Sequence, residues 1–142
     1  MPARDRPAEL LVDTSIAVAL TVADHEHHER TFTALGDRRL GLAGHAAFET
    51  FSVLTRLPAP ARRTPATVAR LLAVSFPHTR FLDAGAAASL FAELATLGIA
   101  GGAVYDALVG ACANEHGLAL ATRDRRALET YRALDVRVEL VA

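Results

Sequence analysis

GGAVYDALVGACANEHGLALATRDRR, residues 101–126, decides the fold. It reads as a helix from about Gly102 to His116, a stop at Gly117, and a short apolar strand, Leu118 to Ala121. Glycine just past the last helical residue is the expected stop, because it enters the left-handed region without a Cβ clash. Asp106 sits inside that helix. Residues three and four positions away share its face, and these are Gly102, Ala103, Val109 and Gly110. A carboxylate on a small, apolar surface is costly unless paired or bound to a cation. The plainer alternative is a first-turn acid that favours the helix dipole. The strand then runs out at Thr122-Arg123-Asp124. That sets a second acid at a strand's carboxyl end, the edge where open α/β sheets bind ligands.

The same pattern opens the chain. Leu10-Leu11-Val12 is an unbroken apolar run that ends in Asp13, as expected of a strand buried on both faces of a parallel sheet. Thr14 and Ser15 follow, then a helix through Ile16-Ala17-Val18-Ala19-Leu20. A helix cap is the local alternative for Asp13, since Asp, Thr and Ser are all good N-cap types.

Between these ends the elements alternate. Leu40 to Ala43 reads as a strand, and His45 to Leu57 as a helix halted before Pro58. Ala47, Phe48, Phe51, Leu54 and Leu57 recur at helical spacing and define its core face. Glu49 borders that face and is able to point into a cleft, or else is an exposed first-turn acid. Residues 58–65 form a Pro-rich connector in which Thr64 caps and Pro65 opens a helix to about Phe76. Arg80-Phe81-Leu82 is a short third strand, Ala86 to Leu97 an amphipathic helix, Arg125 to Ala133 another helix, and Val136 to Leu140 alternates like an edge strand. Strands alternating with helices predict a three-layer α/β sandwich: a mostly parallel sheet of about five strands between helices.

Composition narrows the function. The 142 residues suffice for one domain with a core, taken here as 1–142. Hydrophobic residues make up 51%, yet no apolar run reaches the 18 or so of a membrane span, so no membrane partner is expected. The polar opening MPARDRPAE does not resemble a signal peptide, and a cytoplasmic location is the expectation. The single cysteine, Cys112, excludes an internal disulfide and suits a small core position. The net charge of −1 provides no bulk basic field. All 15 basic residues are Arg, which beside the abundant Ala reflects codon bias better than phosphate binding. In Asp24-His25-Glu26-His27-His28-Glu29, the i, i+3 spacing of His25 and His28 invites a metal reading. No second His or Cys pair completes it, and a solvated helix start is preferred. The Gly98–Gly102 cluster follows a helix and lacks dinucleotide-loop spacing.

In a parallel sheet Asp13 and Asp124 leave at the same edge. Asp106 and Glu49, each early in its helix, return there after a crossover, so four acids from separate elements converge. Like charges that close cannot all ionise unaided. A hard divalent cation relieves the repulsion, and oxygen ligands suit Mg²⁺ or Mn²⁺. The chemistry that uses such a site is metal-assisted hydrolysis of a phosphoester. A phospho-receiver domain is disfavoured because it usually needs a late Lys, and there is none.

Four segments, LLVDTSIAVAL, HAAFETFSVLTRLP, GGAVYDALVGACANEHG and LALATRDRRAL, together resemble the PIN-domain ribonucleases of the VapC type, in order and over nearly the whole chain. The resemblance implies that Asp13 and Asp106 are the principal metal ligands. It implies that Glu49 acts on metal or water less directly, and that Asp124 takes the fourth, most variable acidic position. Thr14 or Ser15, with Thr122, would steady these carboxylates by hydrogen bonds. It also implies RNA endonuclease activity, Mg²⁺ or Mn²⁺ as cofactor, a homodimer, and a cognate antitoxin that threads a segment into the active-site groove. Arg123, Arg125 and Arg126 would meet substrate phosphate or serve as plain helix-surface arginines. The competing expectation is a catalytically silent PIN-like module that binds RNA or protein.

Overall fold

The computed structural model describes residues 9–142; the charged opening segment read above lies outside them up to Ala8. The chain runs β1 (Glu9–Val12), α1 (Thr14–Thr21), α2 (His28–Leu35), β2 (Arg39–Leu42), α3 (His45–Thr55), α4 (Pro65–Ser75), α5 (Ala84–Leu97), α6 (Ala103–Glu115), β3 (Leu120–Thr122), α7 (Leu128–Ala133) and β4 (Val138–Leu140). The strands form one sheet in the order β2-β1-β3-β4, and every pairing is parallel. Parallel neighbours require crossovers, which the helices between them supply.

Alternation along β1 builds two cores. Leu10 and Val12 face one side, where they meet Ile16, Ala17, Leu35, Leu40 and Phe76. Leu11 faces the other and packs with Ala46, Val109, Cys112, Leu120 and Tyr131. Side chains of successive strand residues point to opposite faces, so an all-apolar strand needs helices on both. The three-layer α/β expectation is met, and Cys112 is a fully buried core residue. Helix α6 ends within a residue of the expected stop, with Gly117 at φ 65°. Thr64 caps α4 through a bond from the Thr67 N–H at 3.2 Å.

Among the described residues the sheet has four strands rather than about five. Arg80-Phe81-Leu82 contributes only a single parallel bridge, Ala43 to Arg80. The segment runs along β2, with the His78 and Arg80 N–H groups donating to Leu40 and Leu42 carbonyls at 3.1 Å. The Leu42 N–H, however, goes to the Thr79 hydroxyl at 2.9 Å, and that hydroxyl donates to the Phe76 carbonyl at 2.8 Å. A side chain thus replaces a ladder carbonyl before Arg80, and just beyond it Gly44, at φ 54°, turns the neighbouring chain into α3, so Phe81 and Leu82 have no strand to pair with. Two further boundaries shift. The Arg125–Ala133 helix splits into a 3₁₀ turn, Arg125–Ala127, and α7. The last strand begins only at Val138, because Asp135 at φ 58° turns the chain and the Val136 N–H closes on the Tyr131 carbonyl. It does lie at the sheet edge.

Gly41 is required by this crossing. A Cβ there would stand 2.1 Å from the His78 carbonyl oxygen and 2.7 Å from the Thr79 nitrogen, both backbone atoms that cannot swing aside. Gly41→Ala should therefore destabilise the fold by about 3 kcal/mol, the upper range for overpacking. Urea unfolding checks this, and an unchanged midpoint would contradict it.

Candidate active site

The sheet order changes direction between β1 and β3: the chain leaves β1 for β2 on one side and later returns to β3 on the other. Ligands of open α/β sheets bind outside the carboxyl ends at such a switch point. Asp13 is the residue immediately beyond β1. Its N–H donates to the Ala121 carbonyl at 3.2 Å, which locks it beside the end of β3.

Asp13 is 5% exposed and its carboxylate is surrounded by donors. The Ser15 hydroxyl donates to Oδ1 at 2.6 Å and the Ile16 N–H to the same oxygen at 3.3 Å. Thr122 and Tyr131 donate their hydroxyls to Oδ2 at 2.5 and 3.0 Å. The helix-cap alternative and the site are thus one arrangement: Asp13 caps α1 with one oxygen while its other is held across the sheet. Burial pushes its carboxyl above the usual range, and the bonds from Ser15, Thr122, Tyr131 and Ile16 pull it back.

The four acids expected to converge do so. Asp13, Glu49, Asp106 and Asp124 line one cleft of about 240 Å³, together with Thr14, Ser15, Val109 and Tyr131. Half-buried Asp106 shows the consequence. Burial, then the charges of Asp124, Asp13 and Glu49, push its carboxyl up to about 6, against a small pull from Arg126. Thr14 donates to Glu49 Oε1 at 3.3 Å, so it holds a different carboxylate from Ser15. Asp124 Oδ1 accepts from the Arg126 N–H at 2.9 Å, and the Asp124 N–H donates to the Thr122 hydroxyl at 3.0 Å.

Glu49 owes its place to Gly44. With φ 54°, Gly44 swings the chain from the end of β2 into α3, a conformation that disfavours side chains with a Cβ. It also packs α3 on α6, since a Cβ there would lie 3.3 Å from the Cys112 Cβ. The small face of α6 likewise has a purpose. A Cβ on Gly110 would meet Val136 Cγ2 at 3.0 Å and Tyr131 Cδ1 at 3.2 Å. The helix thereby comes close enough for Tyr131 to reach Asp13.

Tyr131 was absent from the expected set. Its position after Ala127 and Leu128 puts it on the inner face of α7, and a buried phenol needs a hydrogen-bond partner. That much is visible in the sequence; which acceptor it meets, 118 residues away, is not. The arginines separate. Arg126 reaches the acids, its Nε 3.4 Å from Asp124 Oδ1. Arg125 is exposed. Arg123 donates its backbone N–H to the Ser15 hydroxyl at 2.9 Å. Burial and the charges of Arg123 and His27 hold the His25 imidazole below its usual range. His25 and His28 do not pair: the former accepts from the His27 N–H, and the latter's Nδ1 lies 2.8 Å from the Ala19 carbonyl.

The donor set suits a hard cation. Every acidic group at the cleft offers oxygen, and burial, with the neighbouring acids second, raises the Asp106 carboxyl. Among the described residues no three His, Cys, Asp or Glu side chains close on one point as a ready cage. An ion here would keep much of its water, as Mg²⁺ does when few carboxylates hold it.

With this fold and cleft, the chain belongs to the PIN-domain family, whose model matches residues 10–133. Within that family it belongs to the VapC group. It is 45% identical to ribonuclease VapC27 of Mycobacterium tuberculosis over 133 residues, 94% of this chain and 97% of that protein. It is 48% identical to ribonuclease VapC40 of the same species over 130 residues, 91% of this chain and 96% of the relative. Solved structures share the fold at lower identity. FitAcB from Neisseria gonorrhoeae matches at a TM-score of 0.64 and 21% identity, over 91% of this chain and 95% of that one. Mycobacterium tuberculosis VapC20, described as a sarcin-ricin loop cleaving toxin, matches at 0.61 and 18%, over 80% and 86%.

Proposed function

We propose that residues 1–142 form a single PIN domain that acts as a metal-dependent RNA endonuclease, the toxin of a toxin–antitoxin pair. The observation that carries this reading is the convergence of Asp13, Glu49, Asp106 and Asp124 on one cleft at the sheet's switch point. Kinship at 45–48% identity with proteins named ribonucleases supports it.

Asp13, Asp106, Glu49 and Asp124 would hold Mg²⁺ or Mn²⁺. Such an ion, when bound, makes water a better nucleophile near neutral pH and offsets charge on the phosphoryl oxygens. The chain supplies the rest. Asp13, fixed by Ser15, Thr122, Tyr131 and the Ile16 N–H, presents its carboxylate without rotamer freedom. That preorganisation lowers the cost of ordering the site during reaction. Glu49, held by Thr14 and exposed, would act on the metal or on an attacking water less directly, as a base. Arg126, its side chain 93% exposed beside Asp124, offers a guanidinium to an RNA phosphate.

A cognate antitoxin and a homodimer belong to the same proposal. Phe48, expected on the core face of α3 but 67% exposed, and Phe91, 80% exposed, mark apolar surface that a second copy would cover. Among the described residues no helix is long and apolar enough to cross a membrane.

Removing divalent cations tests the reading. Excess EDTA should reduce RNA cleavage at least a hundredfold, with restoration by Mg²⁺ or Mn²⁺ but not Ca²⁺ alone, whose longer, looser oxygen contacts suit this chemistry poorly. RNA end-mapping of cells and of purified reactions provides the measurement. Full activity in EDTA would refute the mechanism, and tight RNA binding without any cleavage would favour the silent module.

A further inference from the structure

We propose that His45 and Tyr105 form a base-stacking subsite that seats one nucleobase of single-stranded RNA beside the acidic cleft. The subsite rests on the ribonuclease reading above and specifies how the substrate is held.

The two rings lie 4.9 Å apart and 22° from parallel, a stacked pair that joins α3 to α6. Their position in the chain ties them to the acids. Tyr105 directly precedes Asp106, and His45 is one helical turn before Glu49. Residues four apart share a helix face, so His45 lies on the side of α3 that brings Glu49 to the cleft. The pair is also built firmly. Gly44 packs against Cys112 with room for no more than a strained Cβ, which fixes the start of α3 on α6 beside the rings.

Tyr105 nevertheless remains 52% exposed. A core role would bury that ring, and burial of an aromatic is worth far more than leaving half of it in water. His45 covers one side of the tyrosine and leaves an aromatic surface open to a further planar partner. Arg126, exposed at Asp124, supplies positive charge among the same acids. Aromatic platforms next to a cationic group that meets phosphate are the usual means of holding single-stranded nucleic acid, whose bases all have a π-face. His45 acts through Tyr105 as its positioning residue; Tyr105 touches the base.

The test uses the full-length protein with Mg²⁺ and a single-stranded RNA oligonucleotide pool of random sequence. In matched binding runs, each oligonucleotide carries 2-aminopurine at one of several positions. Tyr105→Ala should raise KM about tenfold and change kcat less than about twofold, the stacking contribution of one base. Tyr105→Phe, which keeps the ring, should stay within about twofold of wild type. Quenching of 2-aminopurine at one position should occur with wild type and Tyr105→Phe and vanish with Tyr105→Ala. An unchanged KM in Tyr105→Ala, on RNA that wild type cleaves, overturns the subsite alone. So does a loss restored by raising protein concentration, with a shift from dimer to monomer in solution, because the rings then serve a second copy. Wild type inert toward every RNA overturns the ribonuclease reading and the subsite with it.

Discussion

Asp13→Asn should yield a folded protein whose RNA cleavage falls on the order of a thousandfold, the cost of removing a central charge from a preorganised site. The fold survives for a reason specific to its surroundings. Three of the four groups that meet Asp13 are hydroxyls, from Ser15, Thr122 and Tyr131. A hydroxyl both donates and accepts, so an amide nitrogen at Oδ2 can donate where the carboxylate accepted. The Asn oxygen keeps the bond from the Ile16 N–H at the other position and with it the cap on α1. What is lost is negative charge, and with it one ligand of the proposed cation. Asp13→Ala is expected to behave differently. It strands buried hydroxyls as well as deleting charge, and unsatisfied buried polar groups cost about 1–3 kcal/mol each. Cleavage assays and thermal denaturation on both variants separate the two effects. Retained cleavage in Asp13→Asn would defeat the proposed role of this residue.

Asp106→Asn should lose activity to a similar degree yet gain stability in metal-free buffer. Its carboxyl is pushed up to about 6 by burial and by Asp124, Asp13 and Glu49. A carboxyl whose folded pKa exceeds its usual 3.8 is destabilising once ionised. Between those two values the folded state binds more protons than the unfolded one, so wild-type stability falls as pH rises through this window. The Asn variant has no proton to lose and escapes the fall. The difference should be absent below about pH 3.8, grow to about pH 6 and stay constant above. Asp106 is only half-buried, so solvent screening limits the gain to about 1 kcal/mol. Added Mg²⁺ should reverse the order, because it stabilises the folded wild type by mass action and finds one fewer carboxylate in the variant. Thermal denaturation across pH, with and without the ion, provides the measurement. An Asn variant no more stable than wild type at pH 7.5 without metal would mean that burial and the neighbouring carboxylates do not destabilise the ionised Asp106.

Much of the fold was legible because its signals are local. The unbroken apolar run Leu10-Leu11-Val12 marks a strand buried on two faces, and both faces are covered. Gly117 and Pro65 mark helix boundaries through backbone geometry alone, and α6 and α4 obey them. The 80–82 strand failed for a reason no propensity contains: its partner chain turns away at Gly44 just after bonding to Arg80, and a Thr79 hydroxyl intercepts the Leu42 N–H before it. The placement of the four acids was legible from topology, since parallel strands send their carboxyl ends to one edge.

The sequence by itself determined the layered α/β order, the acids at element ends and the small-residue face that admits them. Those follow from periodicity, capping chemistry and the connection rules of parallel sheets. Only the tertiary structure decided that Tyr131 reaches Asp13, that Thr14 and Ser15 serve different carboxylates, and that His45 stacks on Tyr105. These contacts depend on how closely two helices approach, and that distance is fixed by glycines whose effect is felt only against a partner far along the chain.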